Sequence, residues 1–115
     1  MPRRKVPDRY ALAVGQRIRA LREEQGITLE KLAFESDVRS KGHLSSLEKG
    51  LVMPTVATLK ALADRLGVLV ADLVNLPDDG DRAELLELSR RAPRGSVRKA
   101  LRVLRAEKPS KRRSG

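Results

Sequence analysis

The sequence predicts an all-α protein, and three observations carry that expectation. Aromatic residues are only 2% of the 115-residue chain while 40% of it is hydrophobic, so the core must be built from Leu, Val, Ile and Ala. Such a core suits a compact helical bundle better than a β-sandwich. The aliphatic residues recur at helical spacing in short runs. Those runs are bounded by residues that open helices, such as Asp8, Thr28, Ser40 and Thr55, and by glycines that end them, such as Gly26, Gly50 and Gly67.

The first residues hold two prolines and a cluster of basic groups, so residues 1–8 read as a flexible basic arm. Asp8 is the expected N-cap of a first helix from about Arg9 to Glu24, with Leu12, Val14, Ile18 and Leu21 at helical spacing. Thr28 caps a second helix that buries Leu29, Leu32 and Ala33. Ser40 caps a third that buries Leu44 and Leu47 and stops at Gly50. Pro54 and Thr55 open a fourth, whose Val56, Leu59, Leu62, Ala63 and Leu66 make one apolar face ending at Gly67. A short fifth helix covers about Val70 to Asn75. These elements delimit a domain over residues 9–76.

Turn-forming and acidic residues in Pro77-Asp78-Asp79-Gly80 mark a boundary. Asp81 is then expected to cap a sixth helix to about Arg91, with Glu84 completing a capping box. Pro93-Arg94-Gly95 breaks it, and Ser96 starts a seventh with Val97, Leu101 and Leu104 on one stripe. Residues 81–107 thus form a C-terminal helical extension, and 108–115, which hold no apolar residue, a disordered basic tail.

The net charge of +10 points to a polyanionic partner, and its distribution is uneven. Residues 91–115 carry ten basic groups against one acidic group, residues 76–90 carry two against five, and the stretch between Ala11 and Gly50 is nearly neutral. With no Cys and one His, disulfides and thiolate metal sites are excluded and a zinc site cannot be assembled, so no cofactor is expected. No apolar run approaches the roughly 20 residues that span a bilayer, and no secretory signal follows the N-terminus. A cytoplasmic protein is expected, with no membrane partner.

The run from Thr28-Leu-Glu-Lys-Leu-Ala33 through Ser40-Lys-Gly-His-Leu-Ser-Ser-Leu-Glu-Lys-Gly50 to Pro54-Thr-Val-Ala-Thr-Leu59 resembles the helix-turn-helix of the Cro and phage-repressor (XRE-type) family. The resemblance covers roughly residues 12–75. It implies a five-helix lambda-repressor-like DNA-binding domain in a bacterial or phage protein of the nucleoid. Its function would be sequence-specific transcriptional regulation, as a repressor, with double-stranded DNA as partner and a homodimer as the working unit.

Carried onto this chain, the base-facing residues of the third helix are Ser40, Lys41, Gly42, His43, Ser45 and Ser46. Lys41 can donate to guanine N7 and O6, or it can touch only a phosphate. His43 is either a base contact or a solvated imidazole. Gly42 permits close backbone approach but discards a source of discrimination. Phosphate contacts fall to the amides after Thr28, including that of Leu29, and to Arg17, Arg39 and Lys49. The resemblance also implies an ion pair between Arg22 and Glu48. One departure stands out. Ala33 to Leu44 spans eleven positions where the family usually has ten, and Ser36 or Asp37 replaces the customary turn glycine, so the base-facing register is open by one residue.

Three rival functions fit less well. An enzyme needs titratable groups gathered in a cleft, and one His, one Tyr and no Cys give no such set. Single-stranded RNA binding would call for aromatic stacking platforms that are absent. An antitoxin or adaptor would use the helices in 81–107 to hold a partner protein and DNA for autoregulation. Copurification of such a partner distinguishes it.

Overall fold

The computed structural model describes residues 6–38 and 40–109, and among these it holds helices and no strand. Seven helices follow in order: α1 Arg9–Glu24, α2 Leu29–Glu35, α3 Lys41–Glu48, α4 Val56–Leu66, α5 Val70–Val74, α6 Asp81–Arg91 and α7 Arg94–Ala106, with a 3-10 turn over Pro77–Asp79 between α5 and α6. The arm at 1–5, Arg39 and the end of the tail at 110–115 lie outside the described residues.

Four of the helix starts follow from local chemistry. Asp8 accepts from the amides of Tyr10 and Ala11, Thr28 from Lys31, Ser40 from His43 and Thr55 from Thr58, all at 2.9–3.1 Å. Each bond satisfies a donor that the first turn of a helix cannot pair internally.

The core joins α1 to α5. Ile18 and Leu21 of α1 meet Leu32 of α2, Leu44 and Leu47 of α3, Leu62 of α4 and Leu73 of α5, all essentially inaccessible to solvent. Two expected core residues are displaced. Leu12 is only half-buried, and Ala11 takes the inner position, because the α1 backbone at Leu12 rests directly on Gly50. Val56 is 76% exposed: it has the phase of the α4 stripe but opens the helix at its outer end, ahead of the core.

Gly15 decides how closely α1 can lie on α3. A Cβ there would overlap the Leu47 carbonyl oxygen and the backbone of Glu48. Glycine in mid-helix costs about 1 kcal/mol of helix propensity, and here that cost admits a backbone-on-backbone contact no other residue allows.

The extra residue before α3 is absorbed in the turn. Ser36 ends α2, and Asp37 takes the left-handed conformation at φ 57° that the family's glycine would occupy. Asp tolerates this region better than most side chains. Val38 then packs against the core before Ser40 caps α3.

The extension departs from expectation in detail. Gly80, not Asp81, is the N-cap of α6; Asp81 is already helical, and no side chain caps the start, so no capping box with Glu84 forms. The break between α6 and α7 is also shorter than Pro93-Arg94-Gly95 suggests. Pro93 itself is the N-cap of α7, its fixed φ of −61° being ready for a helix, and Arg94 and Gly95 are helical. The Pro77–Gly80 stretch is not a free linker, since Asn75 Nδ2 donates to the Ala83 carbonyl oxygen at 2.9 Å across it.

Candidate nucleic-acid interface

α3 lies on α1 with Leu44 and Leu47 inward, which turns its first residues to solvent. Ser40, Lys41 and Gly42 are exposed and Ser45 half-exposed. His43 is half-buried at the rim of a shallow recess lined with Asp37, Val52, Pro54 and Thr58. Ser46 is withdrawn from the base-facing set. It is 6% exposed, because the second half of α3 sinks behind the following loop, where the Leu51 amide donates to the Ser46 carbonyl oxygen at 3.0 Å.

Lys41 Nζ lies 2.9 Å from Glu30 Oε1 of α2, both side chains being mostly exposed. An exposed pair of this kind is worth no more than about 1 kcal/mol and yields to a stronger acceptor. Composition gives no hint of Glu30, since only the fold brings α2 beside the start of α3.

Arg22 and Glu48 meet in a two-pronged pair, Nε to Oε2 at 2.8 Å and Nη2 to Oε1 at 3.1 Å. Arg22 Nη1 also donates to the Ile27 carbonyl oxygen at 2.9 Å. Both side chains are nearly buried, at 11% and 7% exposure. The hydrogen bonds to Glu48 raise the Arg22 pKa above its ordinary value against the opposing effect of burial. The pair ties the end of α3 to α1 and to the turn before α2, and so fixes the attitude of the exposed face.

Of the expected phosphate contacts, Lys49 is exposed at the end of α3, and Thr28 and Leu29 stand at the start of α2. Arg39 lies outside the described residues. Arg17 is a correction. Its Nε donates to the Asp72 carbonyl oxygen at 2.8 Å and its Nη2 to Glu87 Oε1 at 2.6 Å, leaving the side chain 11% exposed. With three of its five N–H groups bonded to Asp72 and Glu87 and little of the side chain exposed, this guanidinium is committed to the contact with the extension and not to a phosphate.

Glu87 was invisible in the sequence as a functional residue. It also takes Arg90 of its own helix, Nε to Oε1 at 3.0 Å, and Arg90 in turn reaches Glu24 of α1 at 2.9 Å. Hydrogen bonds from Arg90 and then Arg17 hold the Glu87 carboxyl down at about 2, and the Arg90 bond likewise lowers Glu24. A carboxyl with a depressed folded-state pKa adds stability that is present above its unfolded value and lost as pH falls toward 2. The cluster is therefore fully formed at neutral pH and is not a physiological pH switch.

No helix among the described residues is long and apolar enough to cross a membrane, and no cluster of acidic and histidine groups there could hold a metal. The family model described as "Helix-turn-helix" matches residues 18–73. An uncharacterised HTH-type transcriptional regulator of Sinorhizobium fredii is 44% identical over 66 residues, which are 57% of this chain and 84% of that protein. The immunity repressor protein of Bacillus phage phi105 is 36% identical over 63 residues, 55% of this chain but only 43% of the repressor's own length. The crystal structure of the clp gene regulator ClgR from Corynebacterium glutamicum superposes with a TM-score of 0.56 and 28% identity over 84% of this chain and 92% of that one. That likeness runs past α5 into the C-terminal helices. With the exposed α3, the caps and the α1–α3 contact in place, the chain belongs to the Cro/phage-repressor-like (XRE-type) helix-turn-helix family of transcriptional regulators.

Proposed function

We propose that this regulator is a cytoplasmic repressor that binds operator DNA as a homodimer, each copy laying α3 in the major groove and joined to the other through residues 81–107. The observation that carries the reading is the face of Ser40, Lys41, Gly42 and Ser45, turned outward on a helix whose angle the Arg22–Glu48 pair holds. One such helix makes too few base contacts for useful specificity, and two-fold symmetry doubles them. Replacing Lys41 and His43 by Ala is expected to reduce discrimination between a selected operator and random duplex by about 1–3 kcal/mol for each bidentate base interaction removed. Titrating both duplexes with each protein measures it. Unchanged discrimination would remove α3 as the reading helix.

The extension supports the second copy. The α6 side bearing Ala83, Leu86, Glu87 and Arg90 is half-buried against the domain, while Leu85 and Leu88 are about half exposed. α7 has no buried residue, and its Val97, Leu101 and Leu104 face an open apolar groove of about 820 Å³ shared with Leu85 and Leu88. An uncovered apolar patch of this kind marks an interface. Its charge favours a second copy: the basic residues Arg98, Lys99, Arg102 and Arg105 on α7 complement Asp78, Asp79, Asp81 and Glu84 around the start of α6 when two extensions pair antiparallel about a two-fold axis.

The terminal charge adds affinity without specificity. Deleting residues 108–115, which removes Lys108, Lys111, Arg112 and Arg113, is expected to weaken operator and random duplex equally. It should flatten the log–log salt dependence by up to about three units. Titrations at several salt concentrations test this, and an unaltered slope would make the tail a docking element for a protein.

A further inference from the structure

The dimer arm is fastened to the reading head by charge. Arg17 and Glu24 of α1 bracket Glu87 and Arg90 of α6: Arg17 Nη2 to Glu87 at 2.6 Å, Arg90 to Glu87 at 3.0 Å and Arg90 to Glu24 at 2.9 Å. Arg17, Glu87 and Arg90 are 11%, 17% and 12% exposed, so solvent screens the cluster little. Arg17 further ties in the Asp72 carbonyl oxygen of α5, and Asn75 Nδ2 ties the end of α5 to Ala83.

The position of this cluster on α1 gives it meaning. At about 3.6 residues per turn, Arg17 and Glu24 fall on one side of the helix, and Gly15 and Arg22 fall on the opposite side. The second side holds α3, through the close approach at Gly15 and the Arg22–Glu48 pair. A single rigid helix thus carries the reading surface on one flank and the start of the extension on the other.

We propose that Glu87 is a positioning residue for DNA recognition: by clasping Arg17 and Arg90 it fixes α6 on α1 and so sets the separation at which two reading helices meet their half-sites. This rests on the homodimer reading above. A bare turn at Pro77–Gly80 would let the two heads adapt to several spacings, whereas the clasp confines them to one. Glu87 sits on the flank of α1 opposite α3 and does not line the groove of Leu101 and Leu104, so its effect should fall on geometry alone.

The test uses the full chain and duplexes carrying two inverted copies of the half-site that the wild-type protein selects from random DNA. In one series the half-sites are moved apart or together by one and two base pairs; a further duplex holds a single half-site. The wild-type chain is expected to prefer one spacing by at least about tenfold, the effect of about 1.4 kcal/mol. Glu87→Gln, which keeps the shape and removes the charge, should reduce that preference to within about threefold, and Arg90→Met should do the same by an independent route. Both variants should remain dimeric by sedimentation and bind the single half-site within about twofold of wild type. A wild-type chain that sediments only as a monomer would overturn the homodimer reading and this inference with it. Dimeric variants that keep the wild-type spacing preference, or that lose single-half-site affinity as much as spacing preference, would overturn the inference alone.

Discussion

Replacing Arg22 by Met while leaving Glu48 in place is expected to destabilise the chain by about 3–5 kcal/mol, because a nearly buried carboxylate would be stripped of its bidentate partner. Domains of this size are stable by only about 5–15 kcal/mol, so the loss is a large fraction of the whole. It should appear as a fall in melting temperature on the order of 15–20 °C. Glu48→Met strands the guanidinium instead, which keeps its bond to the Ile27 carbonyl oxygen and can reach water, so the expected loss is smaller. The double replacement by Met should cost less than Arg22→Met alone, since two apolar side chains of similar length leave no unpaired charge. Thermal melts of the four proteins close the cycle. Small, additive losses would show that the pair does not hold α3 to α1.

Ending the chain at Leu76 is expected to convert a dimer into a monomer and to reduce operator affinity by about 10²–10⁴-fold. Binding to the second half-site would then cease to be intramolecular. The deletion of residues 108–115 is the control, since it removes basic tail charge and keeps both helices of the extension. Truncation also strips Glu87 from Arg17, so circular dichroism must first show that the helices α1 to α5 persist. Sedimentation then reads the oligomeric state. A truncated chain that remains dimeric would move the interface out of the extension, and copurification of another protein with the full chain would give the groove to a different occupant.

What could be read from the sequence was what neighbours in sequence decide. Asp8, Thr28, Ser40 and Thr55 announce helix starts because a short polar side chain reaches an amide two or three residues on, and that chemistry is the same in any fold. The eleven-residue span before α3 signalled an altered connection, while Asp37 keeps the left-handed conformation of the customary turn glycine. What could not be read depends on tertiary neighbours. Ser46 shares a helix with the exposed Lys41 but is covered by the loop after Gly50. Arg17 looked like a surface cation until Glu87, seventy positions later, arrived beside it. Periodicity places a residue on a face; it does not say what comes to cover that face.

In the proposed complex, α3 reads duplex DNA as one half of a symmetric pair. Selection of bound sequences from a random duplex pool by the full chain tests it most directly. The expected product is an enriched inverted repeat whose half-site centres lie about one helical turn, roughly 34 Å, apart. Lys41→Ala is expected to relax the same base position in both halves. Enrichment of a single asymmetric site, or a repeat whose base preferences ignore the Lys41 substitution, would contradict it.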